Sequence, residues 1–434
     1  MASTSISRTP SSTGNRQTWT FSAWVKRSEL STNQKIFEAS PDGSNTTDIR
    51  LKTDDTLQVY SEVGGVTKYN LKTNRVLRDT NGWMHIVVAV DTTQGTSSNR
   101  VKLYINGVQE TSLNTATYPD QNFDTLVNYA SQINVIGRRN PYSDFYFNGL
   151  ISYAALVDGT QELPTIFGET DSVTGQWKIK TDITPSVAWG TNGFLILKNG
   201  NSLTDESTNS NNFTLGSGTL TNSLDCPSNV FATFNSLYKS NETLSYGNTR
   251  SVLATSDQFG GVSTIGVSSG KWYAEFKPNI AGSNYYGCGI IGDVNFSSNN
   301  NVGAGRDKSI GYRSGDGEKG VDNTFSSYGD TYTTNDIIGI ALDLDSATNT
   351  ITFYKNNVSQ GTINITVPNP DGVWHFCACS MATGGSSDWS ANFGNGYFGT
   401  TAVASAGTNA SGNGIFEYDT PTGYTALSTK GLNL

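Results

Sequence analysis

Only 4 cysteines and 2 histidines occur in 434 residues, with no Cys-x-x-Cys pair, so a structural zinc site is excluded. Charged residues make up 15% of the chain, below the roughly 25% of an average soluble protein, which argues against long salt-bridged helices. No run approaches the about 18 apolar residues of a membrane-crossing helix, and the densest stretch is His85-Ile-Val-Val-Ala-Val90. Membrane insertion is therefore not expected. The opening Met1-Ala-Ser-Thr-Ser-Ile lacks the charged-then-apolar pattern of a secretory signal, which predicts synthesis in a cytoplasm. With 37 acidic and 28 basic residues the net charge is −9, a poor basis for phosphate-driven nucleic-acid binding. Triplets such as Asn212-Phe-Thr and Asn241-Glu-Thr then follow from an asparagine-rich composition, not from glycosylation.

What the chain does have is glycine (46 residues), many Asn, Ser and Thr, and 11% aromatics, too many for a disordered polymer. Short apolar strands between small polar turns predict an all-β protein. In Thr18-Trp-Thr-Phe-Ser-Ala-Trp-Val25 the alternation puts Trp19, Phe21, Ala23 and Val25 on one face. Trp24 falls on the other, so this strand packs on both sides or lies near an edge. Lys35-Ile-Phe-Glu, Ile49-Arg-Leu and Thr56-Leu-Gln-Val-Tyr60 read as short strands, and Gly82–Asp91 as one buried on both faces. Arg100-Val-Lys-Leu-Tyr-Ile105, Asn106-Gly107 and Val108-Gln-Glu read as strand, type I′ turn and strand. Ile133–Gly137 and Phe145–Leu156 complete the set.

These segments resemble a laminin-G/concanavalin-A-like jelly roll over residues 1–175. The resemblance rests on Phe21-Ser-Ala-Trp-Val25, Trp83–Asp91, Val101–Gly107, Ile136-Gly137 and Phe147–Ser152. It implies a fold, not a ligand, because such sandwiches host lectins, adhesion modules and glycoside hydrolases. A retaining glycosidase needs two carboxylates about 5–5.5 Å apart, usually at alternate positions of one strand. No Glu-x-Asp-x-x-Glu arrangement occurs, and the strand acids Glu38 and Glu110 have no acidic partner two residues away. His85, a candidate base, lies in the most apolar run and is expected to be a packed or surface-tipped side chain.

Residues 176–221 hold strand-like pieces, Ser186-Val-Ala-Trp189 and Gly193-Phe-Leu-Ile-Leu197, in polar loops; they read as a bridging segment or as outer strands of either sandwich, between which pattern does not decide. From 222 to 400 a second sandwich resembles a SPRY domain. Its marks are Gly270-Lys-Trp-Tyr273, Asp336–Asp343, Phe353-Tyr-Lys-Asn-Asn357 and Ala391-Asn-Phe-Gly394. Such domains resemble protein-binding sandwiches that use loops at one end. Trp389 and Phe393 are expected beneath this sandwich, and Cys377 and Cys379 have strand spacing suited to packing, not to bridging each other. Residues 401–434 form a C-terminal tail whose Pro421-Thr-Gly-Tyr-Thr-Ala-Leu run docks back or reaches a neighbouring subunit.

The whole chain resembles virion proteins of marine tailed phages, on Ser7-Arg-Thr-Pro-Ser-Ser-Thr-Gly-Asn-Arg16, Phe167-Gly-Glu-Thr-Asp171, Cys226–Asn235 and Phe416–Tyr424. The resemblance implies a non-enzymatic tail-fibre, tail-associated or capsid-surface protein of the virion, assembled in the host cytoplasm. Its implied partners are other virion proteins, further copies of the chain (a trimer, as in many phage fibres) and host-surface glycans. No heptad pattern sets the copy number. The alternative is a jelly-roll glycoside hydrolase or depolymerase acting on host-envelope polysaccharide. Arg8 and Arg16 are candidates to anchor the N-terminal arm on an acidic partner. Loop aromatics flanked by polar residues are the candidate ligand contacts: Tyr118, Asp120, Asn140, Tyr142 and Asp144, then Tyr285, Tyr286, Arg306, Arg313 and Asp316. No cofactor is expected beyond calcium, which the resemblance allows at the jelly-roll rim, with Asp42, Asp48 and Asp124 as its candidate ligands.

Overall fold

The computed structural model describes residues 3–238, 242–253, 261–279, 286–292, 302–303, 308–380 and 386–433. Among them there is no α-helix, only strands and short 3-10 turns. The chain divides into two compact units, residues 1–222 and 223–434.

In the first unit an eight-stranded and a six-stranded antiparallel sheet face each other. The larger sheet runs Leu113–Thr117, Val66–Val76, Thr56–Val63, Asn45–Leu51, Gln34–Asp42, Asn134–Ile136, Ser5–Arg8, Thr214–Ser217. The smaller runs Phe194–Ile196, Gly149–Asp158, Thr18–Arg27, Met84–Asp91, Val101–Ile105, Val108–Gln109. Alternation decides which side chains meet between them. Trp19, Phe21, Ala23 and Val25 join Ile86, Val88 and Val90 against Phe37, Ile49, Val59 and Leu71, all buried. The strand carrying Trp24 is central, so Trp24 is covered too and stacks on His85, with ring centroids 4.7 Å apart. The other face of Met84–Asp91 offers Val87 and Ala89, which pack with Ala155, Val157, Phe167, Ile183 and Trp189 in a third apolar layer. That layer explains why the run from 86 to 90 is apolar at every position.

Three readings of the sequence change here. The stretch 176–221, set apart as a bridge with its allegiance left open, supplies outer strands of the first unit: Phe194–Ile196 pairs with Gly149–Asp158, and Thr214–Ser217 pairs with Ser5–Arg8. The N-terminal arginines, candidates to anchor the arm on an acidic partner, are turned onto their own unit instead. Arg8 reaches Asn192 and Asn211, and Arg16 stacks on Tyr129 at 4.0 Å while bonding the Thr125 carbonyl at 2.8 Å. Both arginines are thereby committed within their own unit. The strand read as 145–156 begins only at Gly149, after Phe145 takes positive φ, and the positive φ of Tyr153 inside it goes with a shift of register between Ser152 and Ala155.

The second unit repeats the architecture with its own core. One sheet runs Thr243–Ser245, Arg250–Leu253, Ser387–Asn392, Lys271–Pro278, Ile338–Asp343, Thr350–Lys355, Val358–Asn364. The other runs Val262–Val267, Trp374–Ser380, Tyr286–Ile291, Ser309–Arg313, Glu318–Val321, Thr324–Ser327. Trp389 and Phe393 lie in the core between them. Cys377 and Cys379 are buried and packed with Val262, Ile291 and Val302. The tail from 401 docks within the unit: Thr425–Ala426 pairs in parallel with Trp272 and Tyr273, and Phe416 is fully buried against Tyr273.

Candidate functional site

The strands Gln34–Asp42 and Asn45–Leu51 place Glu38 directly opposite Asp48. A register shift between Lys35 and Phe37 turns Lys35 onto the same face. Its ammonium lies 2.9 Å from Glu38 Oε1 and 2.5 Å from Asp48 Oδ2, and Arg50 Nε is 3.2 Å from Asp48 Oδ1. The Thr46 hydroxyl donates to both acids, and the Asn140 N–H donates to Glu38 Oε2. Lys35, Glu38 and Asp48 are each at most 1% exposed. Burial raises the Glu38 carboxyl above its ordinary value, although Lys35 pulls the other way. Two acids do face each other, but two cations neutralise them under a closed loop.

That loop carries part of the expected contact set. Asn140 is turned inward, its side-chain amide donating to the Ser40 carbonyl at 2.8 Å. Asp144 forms a two-pronged pair with Arg139, whose guanidinium lies 4.4 Å from the Tyr142 ring and 4.3 Å from the Phe145 ring. Tyr142, 48% exposed, and the Asp144 side chain, 42% exposed, still present surface, whereas the Asn140 side chain is spent on the loop. Tyr118 and Asp120 belong to another turn, held by Arg100 on the Pro119 carbonyl, and Tyr118 packs against the core. The contacts expected in the first unit thus fall into two separate groups.

The aspartates proposed for calcium are not gathered either. Asp42 accepts from the Ser44 N–H and the Asn45 amide, Asp124 from Gln17, and Asp48 is neutralised by Lys35 and Arg50. These three do not fit a shared calcium site. Among the described residues no group of three or more His, Cys, Asp or Glu side chains is set to hold a metal.

In the second unit Tyr285 and Arg306 lie outside the described residues. Tyr286 is not a loop contact: its strand turns the ring into the core, edge-on to Tyr332 and Trp389. Arg313 pairs with Asp316 and Glu318 and lies 3.9 Å over the Phe325 ring. Arg313 and Asp316 are therefore the described part of the expected set that stays together near the surface.

His85 is packed. Trp177 Nε1–H donates to His85 Nδ1 at 3.0 Å, so the ring proton sits on Nε2, which faces Ser22 Oγ at 2.8 Å. Burial pushes this histidine down to about 3, leaving it neutral near pH 7. Trp177 was missed by sequence reading because it falls in the stretch taken as a bridge. The available signal was an isolated tryptophan after Gly175-Gln176 that opens the alternating pair Trp177 and Ile179.

Residues 2–163 match the model of the concanavalin A-like lectin/glucanase superfamily, and residues 256–390 match that of the SPRY domain. No curated protein matches the sequence. Similar solved structures include a heptameric SAP-like pentraxin from Limulus polyphemus (16% identity, 35% of this chain and 69% of that one, TM-score 0.28). The SPRY domain of human HERC1 is similar at 17% identity, over 36% of this chain and 96% of that one, with a TM-score of 0.29. Domain 4 of AbnA, a GH43 extracellular arabinanase from Geobacillus stearothermophilus solved with arabinotriose, is similar at 22% identity, over 37% of this chain and 70% of that one, with a TM-score of 0.28. The chain carries a concanavalin A-like domain followed by a SPRY domain.

Proposed function

We propose that the protein is a non-enzymatic component of a phage virion, a tail-fibre, tail-associated or capsid-surface protein. It binds sibling virion proteins and host-surface glycans. The observation that carries the non-catalytic part is the Lys35–Glu38–Asp48–Arg50 cluster. A glycosidase needs one acid free to protonate a leaving group and another open to the sugar. Here the facing pair is capped by an ammonium and sealed from solvent. The virion part is supported by the resemblance of Ser7–Arg16 and Phe416–Tyr424 to marine tailed-phage proteins. Stability without disulfides suits a particle assembled in a reducing cytoplasm and used outside it.

Immunogold labelling of purified particles tests the proposal. Label on the tail or capsid surface supports it, and particles free of label overturn it. Release of reducing sugar from host-envelope polysaccharide by the purified chain would replace it with the hydrolase reading.

A further inference from the structure

The third apolar layer of the first unit leaves a surface cleft of about 450 Å³ beside the Asn106-Gly107 turn. Its lining includes Trp83, Trp177, Asn106, Gln176, Thr170 and Val108. None of its lining residues is ionisable.

Two parts of this cleft, Trp177 and Asn106, are fixed before any ligand arrives. Trp177 stands on a two-stranded ribbon, Gly168–Thr170 with Trp177–Ile179, directly opposite Thr170. Its indole N–H is engaged by His85 Nδ1, so what it offers a ligand is ring surface. A side chain at Gly107 or Gly168 would run into that indole, so glycine at both positions lets the backbone close against it. Asn106 is held by the same histidine: its N–H donates to the His85 carbonyl at 2.9 Å, and its Oδ1 accepts from the His85 N–H at 2.8 Å. His85 is thus a positioning residue for both walls, and its low proton affinity keeps it an acceptor toward Trp177.

We propose that this cleft binds a short uncharged saccharide. Two tryptophans supply π-faces whose negative quadrupole suits the C–H face of a pyranose ring. Two primary amides and a hydroxyl supply the mixed donors and acceptors that vicinal hydroxyl groups require. The absence of charge in the lining disfavours an acidic sugar or a phosphate. The volume lies at the low end for small-ligand sites, enough for a few sugar units. The held Trp177 and Asn106 reduce the ordering cost of binding, and repeated copies on a particle would multiply a weak single-site affinity. The inference rests on the reading of the first unit as a glycan binder, and names where and what it binds.

Isothermal titration calorimetry of the full chain against uncharged gluco-, galacto- and manno-trisaccharides tests it, with trigalacturonate as the charged counterpart. At least one uncharged trisaccharide is expected to bind, with trigalacturonate weaker. Trp83→Ala and Gln176→Ala should each weaken binding roughly tenfold or more while the melting temperature stays unchanged. Gln176 lies on an exposed loop, so its variant keeps the test valid should the tryptophan variant unfold. Absence of binding to every uncharged member overturns the proposal, as does binding that both variants leave intact. So does Trp83-dependent capture of a proline-rich peptide in place of sugar. Any of these results leaves the particle-labelling experiment to stand or fall by itself.

Discussion

At the scale of single residues, two buried titratable groups give opposite responses to pH. His85 is neutral in the fold, with its pKa lowered to about 3 by burial, whereas in the unfolded chain it protonates near its ordinary value. Its contribution to stability is therefore complete above about pH 6.5 and declines as pH falls below that, by about 2 kcal/mol at pH 5. His85→Gln keeps an acceptor for Trp177 and a donor for Ser22. The variant should lose this acid-side decline, and chemical denaturation of both proteins between pH 5 and 8 measures the difference. Glu275 behaves the other way. Its carboxylate is buried, accepts the N–H groups of Glu417 at 2.8 Å and Tyr418 at 3.0 Å, and is pushed up to about 7 by burial. A raised acid favours the protonated fold, so stability should drop by about 2 kcal/mol as pH rises from 5 to 8. Glu275→Gln should flatten that drop in the same titration, and a slope equal to wild type would refute the assignment. The packing of His85 was readable from its apolar run. The Lys35 cluster was not: residues three apart on a regular strand point to opposite faces, and only the irregularity between Lys35 and Phe37 brings Lys35 and Glu38 together. Lys35→Met would leave two buried carboxylates facing each other, at a cost of about 3–5 kcal/mol in a denaturant melt.

Among secondary elements, the hairpins were the most legible. Asn106-Gly107 takes φ of 50° and 79°, and Asn356-Asn357 takes 46° and 69°, the all-positive pattern of a type I′ turn. The same turn chemistry carries different burdens at the two places. Gly107 also backs onto the Trp177 indole, whereas Asn357 is exposed. Gly107→Ala should therefore destabilise by about 2 kcal/mol or more, and Asn357→Gly should be neutral or slightly stabilising. Thermal unfolding of the two variants distinguishes these outcomes. The contact loops were less legible, because a polar aromatic loop looks the same in sequence whether its side chains satisfy one another or face solvent. Asn140 and Asp144 turned out to be engaged by Ser40 and Arg139, and Tyr286, at the first position of its strand, became core because its ring turns inward onto Tyr332 and Trp389.

For the whole molecule, the critical boundary is where the first unit ends. Sequence reading placed it at 175, since the pieces after that point are short and set in polar loops. Pairing of Ser5–Arg8 with Thr214–Ser217 spans more than two hundred positions, beyond anything local periodicity reports. The stretch from 176 to 222 also brings Ile183, Val187, Trp189, Phe194, Leu195 and Ile196, all buried. At roughly 1.5–3 kcal/mol for each large apolar side chain, their removal forfeits on the order of 10 kcal/mol. That matches the entire stability of an ordinary domain, about 5–15 kcal/mol. A chain ending at residue 175 should therefore be insoluble or lack a cooperative melt, while a chain ending at 222 should unfold in a single sharp transition. Calorimetry and circular dichroism of the two truncations compare them directly. A cooperative melt from the shorter chain would show that the late strands decorate the sandwich without completing it. The longer chain should also keep the trisaccharide affinity of the full protein, because every wall of the Trp83–Trp177 cleft lies before residue 178.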